Sequence, residues 1–119
     1  MTKVFTYGTL MKGCGNHHFV IGTKFLGEGE TVNEYGLYVD GLPYVSENDE
    51  ISTIKGELYQ VSNRKLEQID MLEGHPHFYE RKLVDIDVGG ETHEAYLYFY
   101  SRSFPYHSLE ESGDYRQRR

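Results

Sequence analysis

A glutamate on the apolar face of a predicted helix is the residue in this sequence best suited to acid–base chemistry. With Leu66 set at 0°, an advance of about 100° per residue puts Ile69 at about 300°, Leu72 at about 240° and Glu73 at about 340°. Glu73 therefore lies between Leu66 and Ile69, on the side expected to face the core. Desolvation and the negative end of the helix dipole both favour the protonated carboxyl group. Such a group can exchange protons near neutral pH.

Two other interpretations of this helix remain open. The last helical residue can fray, so Glu73 could swing to solvent or bond a neighbouring hydroxyl group. Asp70, at about 40° on the edge of the same face, competes for a catalytic role. Its expected role is nevertheless local, because carboxylates commonly hold a strand or loop by hydrogen bonds. Glu67 falls at about 100°, on the polar side.

The second candidate is the segment Tyr7-Gly8-Thr9-Leu10, which is followed by further glycines at Gly13 and Gly15. Glycine allows successive backbone N–H groups to point at one spot, which suits a carboxylate or a developing oxyanion. A plain exit from a strand into a loop has the same composition, and this alternative stays open. The spacing of a phosphate-binding P-loop is missing.

The histidines and the cysteine give weaker signals. His17-His18 and His75-x-His77 flank the two candidate segments, so a metal site on a cavity rim is an alternative. No carboxylate or cysteine stands at a recognisable ligand spacing from them. Cys14 has no base paired with it by a recognisable motif, which argues against a nucleophilic thiol.

Length and composition limit the classes of protein that this chain can be. The 119 residues predict a single domain spanning 1–119. Because the chain has one cysteine, it cannot form an internal disulfide, as is typical of a reducing compartment, and we expect a cytoplasmic protein. The sequence has no run of about 20 apolar residues and no signal peptide, so no membrane association is expected. A net charge of -7 argues against nucleic acid as a partner.

Strand patterns dominate the rest of the sequence. Six short segments rich in β-branched and aromatic residues cover 3–7, 23–26, 35–39, 54–61, 78–88 and 92–100. They predict an α+β fold built on a small barrel or strongly curled sheet. The pair Gly89-Gly90 predicts a hairpin between the last two strands. In the final strand both alternating faces are apolar, so it should be covered on both sides or line a cavity.

One main helix is predicted over Asn63–Glu73. Ser62 can cap its start, Val61 and Leu66 occupy the positions of a hydrophobic staple, and Gly74 is the usual stop residue. A short helical turn near 16–21 is weakly indicated. Beyond residue 100 the sequence turns polar, which predicts a loosely held tail over 101–119.

Three motifs in order along the chain resemble the γ-glutamylcyclotransferase-like family. They are Tyr7-Gly8-Thr9-Leu10 after the first strand, the run from Ile69 to Arg81 (IDMLEGHPHFYER), and Ser112-Gly113-Asp114-Tyr115-Arg116 near the end. The sequence is most similar to the short branch that contains the γ-glutamylamine cyclotransferases and the AIG2-like proteins. The third motif suggests that part of the 101–119 tail is ordered.

The resemblance implies a small mixed β-barrel with one main helix and a few short helical turns. It also implies release of 5-oxoproline from a γ-glutamyl amine or γ-glutamyl amino acid, without metal or cofactor. The family's catalytic glutamate falls on Glu73, and its substrate-binding loop falls on Tyr7, Gly8, Thr9 and Leu10. Tyr79 is expected either to present a hydroxyl group to the cavity or to be a core tyrosine.

A second class of function is consistent with the same residues. A binding protein could keep the cavity for a small γ-glutamyl or acidic metabolite without converting it. Cyclotransfer on a larger γ-glutamylated intermediate is a further alternative. The leaving amine and the oligomeric state are not encoded in any motif.

Overall fold

The chain folds as a closed five-stranded β-barrel with one main helix, in a computed structural model that describes residues 2–102 and 108–118. The barrel order is β1-β5-β2-β6-β7, and β3 pairs with β4 in a separate two-stranded sheet. Neighbouring strands are antiparallel except for β7 and β1, which close the barrel in parallel. The elements are β1 (Thr2–Thr6), β2 (Lys24–Thr31), β3 (Gly36–Asp40), β4 (Leu42–Ser46), β5 (Lys55–Val61), α1 (Asn63–Glu73), β6 (Tyr79–Val88) and β7 (Glu91–Tyr100). The predicted mixed α+β barrel is confirmed.

Strand β7 separates two apolar clusters, which explains its two apolar faces. Ala95, Leu97 and Phe99 join the larger cluster together with residues of β1, β5 and β6. Tyr98, on the other face, joins a second cluster that contains the buried helix residues Leu66 and Ile69. The prediction that β7 is covered on both sides is therefore confirmed.

The hairpin between β6 and β7 has the predicted turn. Val88 pairs with Glu91 across a two-residue loop. Gly89 and Gly90 both have positive φ, at 60° and 87°. Two consecutive positive φ values match the twist of the flanking strands, and glycine adopts them without steric cost.

Helix α1 begins and ends at the predicted residues. The Ser62 hydroxyl accepts a hydrogen bond from the backbone N–H of Lys65, and Gly74 ends the helix in the left-handed conformation. Leu66 and Ile69 are buried, as predicted. Leu72 differs from the prediction because its side chain is 37% exposed. The helix therefore buries a narrower stripe than the sequence pattern suggests.

Two strand predictions need correction. Strand β4 was missed, and β2 runs to Thr31 instead of ending at residue 26. The second half of β2 alternates glycine and glutamate, which are poor strand formers. Gly29 is required there for packing, because a Cβ atom on it would lie 2.4 Å from the backbone oxygen of Asp87 on the neighbouring strand β6.

The end of the chain beyond residue 107 makes specific contacts with the rest of the fold. Leu109 bridges to Tyr38 on β3, and the backbone N–H of Lys55 donates to the carbonyl oxygen of Gly113. Tyr115, in a short 3-10 turn (Tyr115–Gln117), is buried in the larger cluster. The third motif is therefore ordered, whereas the part of the tail at 103–107 lies outside the described residues. A similar 3-10 turn at His17–Val20 matches the weakly indicated helical turn.

No helix in the described part of the chain is both long and apolar enough to cross a membrane.

Candidate functional site

A cavity of about 350 Å³ opens between the loop after β1, the last turn of α1 and the start of β4. Its walls include Glu73 and the residues that the sequence marked as candidates for substrate binding, whereas Asp70, the competing carboxylate, does not line it. The candidates for substrate binding are Tyr7, Gly8, Thr9, Leu10 and Tyr79. The volume is within the range of small-molecule sites, so the cavity can hold a metabolite-sized ligand.

Glu73 is the carboxyl group among the described residues that line this cavity. Burial raises the pKa of its carboxyl group from an ordinary value of 4.5 to about 7. Nothing in the described part of the chain donates a hydrogen bond to this carboxyl group, so the ionised form is not compensated for its loss of water. The group can therefore both accept and donate a proton near neutral pH.

Three tyrosines line the cavity together with this carboxyl group. Burial is the main cause that raises the pKa of Tyr7, Tyr79 and Tyr98, and the negative charge of Glu73 raises each of them further. For Tyr98, the hydrogen bond to Asp70 is the second cause. All three side chains line the cavity and stay protonated at neutral pH.

Each tyrosine has one hydroxyl proton, and each gives it to an acceptor other than Glu73. Tyr7 donates to the backbone oxygen of Tyr98 at 2.7 Å, and Tyr79 donates to the backbone oxygen of Pro43 at 2.7 Å. Tyr98 donates to Oδ1 of Asp70 at 2.6 Å. The surrounding hydroxyl groups therefore leave the Glu73 carboxylate without a donor.

Asp70 holds the end of α1 against the barrel. Its carboxylate accepts hydrogen bonds from Tyr98 on β7 and from Nε of Arg81 on β6, the latter at 2.9 Å. Its backbone oxygen accepts from the N–H of His75 at 2.9 Å. The expected local role of Asp70 is confirmed, and these bonds fix the helical turn that carries Glu73.

The loop after β1 lines the cavity and contains backbone N–H groups that have no acceptor in the described residues. The N–H groups concerned are those of Gly8, Thr9 and Leu10. The carbonyl oxygens of Gly8 and Thr9 accept hydrogen bonds from the backbone N–H groups of Met11 and Asn16. Free N–H groups at a cavity wall are suited to an anionic ligand group.

Gly8 is needed for a reason that the sequence did not reveal. Its φ is not positive, so no special backbone conformation requires glycine there. A Cβ atom at this position would lie 2.4 Å from the ring carbon Cγ of Pro43. The loop can therefore lie against β4 only with glycine at this position.

Two polar residues that contribute to the site were not singled out from the sequence. Asn16 lines the cavity, and its Nδ2 donates to Oγ1 of Thr9 at 3.0 Å. Glu57 on β5 is 3% exposed and accepts from the backbone N–H of Lys12 and from the hydroxyl of Tyr59, both at 2.9 Å. The sequence feature that could have pointed to Asn16 as a site residue was its position after the three glycines of this loop. Glu57 had none, since it stands in an ordinary strand pattern.

The histidines near the candidate segments make local contacts. Nδ1 of His17 lies 2.9 Å from the backbone oxygen of Leu10, and Nδ1 of His75 accepts from the backbone N–H of Arg81. Within residues 2–102 and 108–118, no three His, Cys, Asp or Glu side chains are grouped to hold a metal ion. Cys14 is a partly buried free thiol that packs against the larger cluster.

Comparison with solved structures identifies the class of fold. A crystal structure of an AIG2-like protein from Mus musculus superposes with a TM-score of 0.87, at 26% identity over 97% of this chain and 88% of that one. An uncharacterised protein from Pyrococcus horikoshii superposes with a TM-score of 0.78, at 31% identity over 98% and 92% of the two chains. The barrel and its helix thus have an AIG2-like fold.

Sequence comparison identifies the family. Residues 4–117 match the family described as "Gamma-glutamyl cyclotransferase, AIG2-like". A Methanocaldococcus jannaschii protein whose name attributes γ-glutamylcyclotransferase activity to it is 48% identical over 100% of this chain and 99% of its own length. The γ-glutamylcyclotransferase family protein YtfP from Escherichia coli K12 is 31% identical over 98% of this chain and 97% of its own. The chain therefore belongs to the AIG2-like γ-glutamyl cyclotransferase family.

Proposed function

We propose that this protein releases 5-oxoproline from a γ-glutamyl amide, with Glu73 as the general acid and base. The observation that carries the proposal is the Glu73 carboxyl group, which is partly buried at a cavity wall, has a pKa of about 7 and receives no hydrogen bond from the described residues. Family membership supports the same reaction class.

The reaction needs one group that moves protons twice. The Glu73 carboxylate takes a proton from the α-ammonium group of the substrate, and the freed amine attacks the γ-carbonyl carbon to form a carbon–nitrogen bond. The carbonyl electrons move to oxygen, which gives a tetrahedral oxyanion. As the oxyanion collapses, the bond to the leaving nitrogen breaks. Glu73 gives its proton to that nitrogen, and the second proton lost by the ring nitrogen completes the departing ammonium.

The free N–H groups of Gly8, Thr9 and Leu10 supply the second requirement. In the proposal they bind either the α-carboxylate of the substrate or the oxyanion, since both are negative oxygens and these N–H groups lack an acceptor in the described residues. In the proposal, Tyr7 and Tyr79 form the wall on which the γ-glutamyl group lies. Their hydroxyl oxygens can accept a hydrogen bond from the substrate ammonium group, because their protons point elsewhere.

The nucleophile belongs to the substrate, so the protein has to supply orientation, proton transfer and charge stabilisation. Holding the amine close to the γ-carbonyl carbon turns ring closure into a favoured intramolecular step. This division of work explains how a chain of 119 residues could catalyse the reaction with one carboxyl group and one loop.

An assay for 5-oxoproline with matched substrates tests the proposal. The protein is incubated with γ-glutamyl amides, with the corresponding α-glutamyl amides, and with N-acetyl-γ-glutamyl amides. We expect product from the first group alone, because the second places the amine away from the reacting carbonyl group and the third blocks the nucleophile. If no γ-glutamyl donor gives product above the buffer rate, the proposal fails. Thermal stabilisation by these compounds without product would indicate a binding protein.

A further inference from the structure

Of the three tyrosine hydroxyl protons at the cavity, that of Tyr98 is the one accepted by a side chain. Tyr7 and Tyr79 donate to the backbone oxygens of Tyr98 and Pro43. Tyr98 donates to Oδ1 of Asp70 at 2.6 Å. A backbone oxygen is present whatever residue occupies the position, whereas a carboxylate depends on the residue type. The direction of the Tyr98 proton is therefore set by the identity of residue 70.

The acceptor of this proton lies one helical turn before Glu73. Asp70 and Glu73 are three residues apart on α1, a spacing that places Cβ atoms about 5 to 6 Å from each other. Glu73 and Tyr98 both line the cavity. Burial and the hydrogen bond to Asp70 raise the pKa of Tyr98, and the negative charges of Asp70 and Glu73 raise it further. The Tyr98 hydroxyl group is thus within electrostatic reach of two carboxyl groups, which compete for one proton.

Arg81 holds the Asp70 carboxyl group in the position where it accepts this proton. Nε of Arg81 lies 2.9 Å from Oδ1 and 3.2 Å from Oδ2 of Asp70. The guanidinium carbon of Arg81 lies 4.3 Å from the ring centroid of Tyr96, and its backbone N–H donates to Nδ1 of His75. Charge-assisted hydrogen bonds of this kind are shorter and stronger than neutral ones. The acceptor of the Tyr98 proton is therefore fixed from both β6 and β7.

The titratable groups around Glu73 leave Tyr98 as the donor that could be redirected. Among the described residues, Tyr7, Tyr79 and Tyr98 are the other titratable groups that line the cavity. The ring of His75 lies edge-on to that of Tyr98, with 6.4 Å between the centroids. Tyr7 and Tyr79 are bound to backbone oxygens, which no substitution at the acceptor removes. A hydrogen bond from Tyr98 to the ionised Glu73 would favour that form, so Glu73 would take up a proton less readily.

We propose that Asp70 is a positioning residue that keeps the hydroxyl proton of Tyr98 away from the Glu73 carboxyl group, so that Glu73 stays free to accept a proton from the substrate. This inference rests on the proposed function. Asp70 does not line the cavity, so it acts through Tyr98. The role adds to its structural one, which is to hold the end of α1 against the barrel.

The pH at which kcat/KM rises tests this role in a double-mutant cycle. Asp70→Ala removes the acceptor, Tyr98→Phe removes the proton, and the combined variant removes both. In Asp70→Ala we expect the rise to move to lower pH by about one to two units, because Tyr98 then donates to the ionised Glu73. Loss of the Asp70 charge contributes to this shift, since a like charge near Glu73 disappears.

The combined variant isolates the contribution of the hydroxyl proton. It has the same loss of charge as Asp70→Ala but no proton to donate, so its rise should lie about one pH unit above that of Asp70→Ala. Tyr98→Phe alone should keep the rise within about 0.3 unit of the unaltered protein, because the lost proton was bound to Asp70. A rise at the same pH in Asp70→Ala and in the combined variant would make Asp70 a purely structural residue and overturn the proposal.

Titration of the Glu73 carboxyl carbon by NMR reads the same shifts without turnover. The resonance is assigned by its absence from Glu73→Gln, and its midpoint should be lowest in Asp70→Ala and intermediate in the combined variant. If circular dichroism shows that Asp70→Ala does not fold, Tyr98→Phe still decides. A midpoint above that of the unaltered protein would mean that Tyr98 already donates to Glu73, which would overturn the proposal. Absence of 5-oxoproline from every γ-glutamyl amide would instead reject the proposed function, while the midpoints would still test Asp70.

Discussion

A buried and a partly buried carboxyl group in this protein have opposite surroundings. Glu57, on the wall formed by β5, is 3% exposed and accepts hydrogen bonds from the backbone N–H of Lys12 and from the hydroxyl of Tyr59. Glu73, at the end of α1, faces three tyrosines that donate their protons to other acceptors. Glu57 thus accepts hydrogen bonds from two donors, whereas Glu73 accepts none from the described residues.

The difference shows that burial alone does not define a proton-transfer group. The hydrogen bonds that Glu57 accepts make it a structural tie between β5 and the loop that follows β1. Without such donors, desolvation raises the pKa of Glu73 to about 7. A carboxyl group with that pKa is close to the optimum for a general acid and base at neutral pH.

The largest effect is expected for Glu73→Gln. This isosteric change removes the proton-transfer group, so kcat should fall by about 10²- to 10⁴-fold. The far-ultraviolet circular dichroism spectrum should match that of the unaltered protein. Turnover that stays within a factor of about three would reject Glu73 as the acid and base, because one proton-transfer group normally contributes far more.

The stability of Glu73→Gln should depend on pH in a defined direction. Glu73 binds its proton more tightly in the folded chain, so its raised pKa contributes stability below pH 4.5 that is lost as pH rises through about 7. Glutamine imitates the protonated form and has no such loss. At pH 8.5 the variant should be more stable than the unaltered protein by up to about 3 kcal/mol, and the difference should vanish near pH 4. Urea denaturation at both pH values measures this, and a pH-independent difference would contradict the buried carboxyl group.

Glu57→Gln should show the opposite balance of effects. A neutral amide accepts more weakly than a carboxylate, and its buried NH₂ group finds no assigned acceptor, so the free energy of unfolding should fall by about 1 to 2 kcal/mol. The value of kcat should change by less than about threefold, since Glu57 does not line the cavity and transfers no proton. Equal losses of kcat in Glu57→Gln and Glu73→Gln would remove the contrast between the two sites.

Local signals in the sequence predicted the elements whose ends are set by short-range chemistry. Helix α1 has its Ser62 cap and Gly74 stop, and the final hairpin has Gly89-Gly90 at its turn. The inward position of Glu73 also followed from helical periodicity, because Leu66 and Ile69 define the buried stripe around it.

The features that the sequence did not predict depend on contacts between distant segments. Gly29 permits close packing against the backbone of Asp87, so the glycine-rich half of β2 is a strand despite its low propensity. Gly8 accommodates Pro43 from β4, a strand that was itself missed. The backbone N–H of Lys12, which donates to Glu57, lies 45 residues away in the sequence. No local pattern encodes such pairings.

The most direct test of the central claim is the pH dependence of kcat/KM for a γ-glutamyl amide between pH 5.5 and 8.5. If Glu73 must be ionised to accept the ammonium proton, kcat/KM should rise with pH and level off around the raised pKa of about 7. The lower part of this rise should approach about tenfold per pH unit, as expected for a single titrating group. A flat profile across this range, as an ordinary carboxyl group titrating near 4.5 would give, would contradict the account.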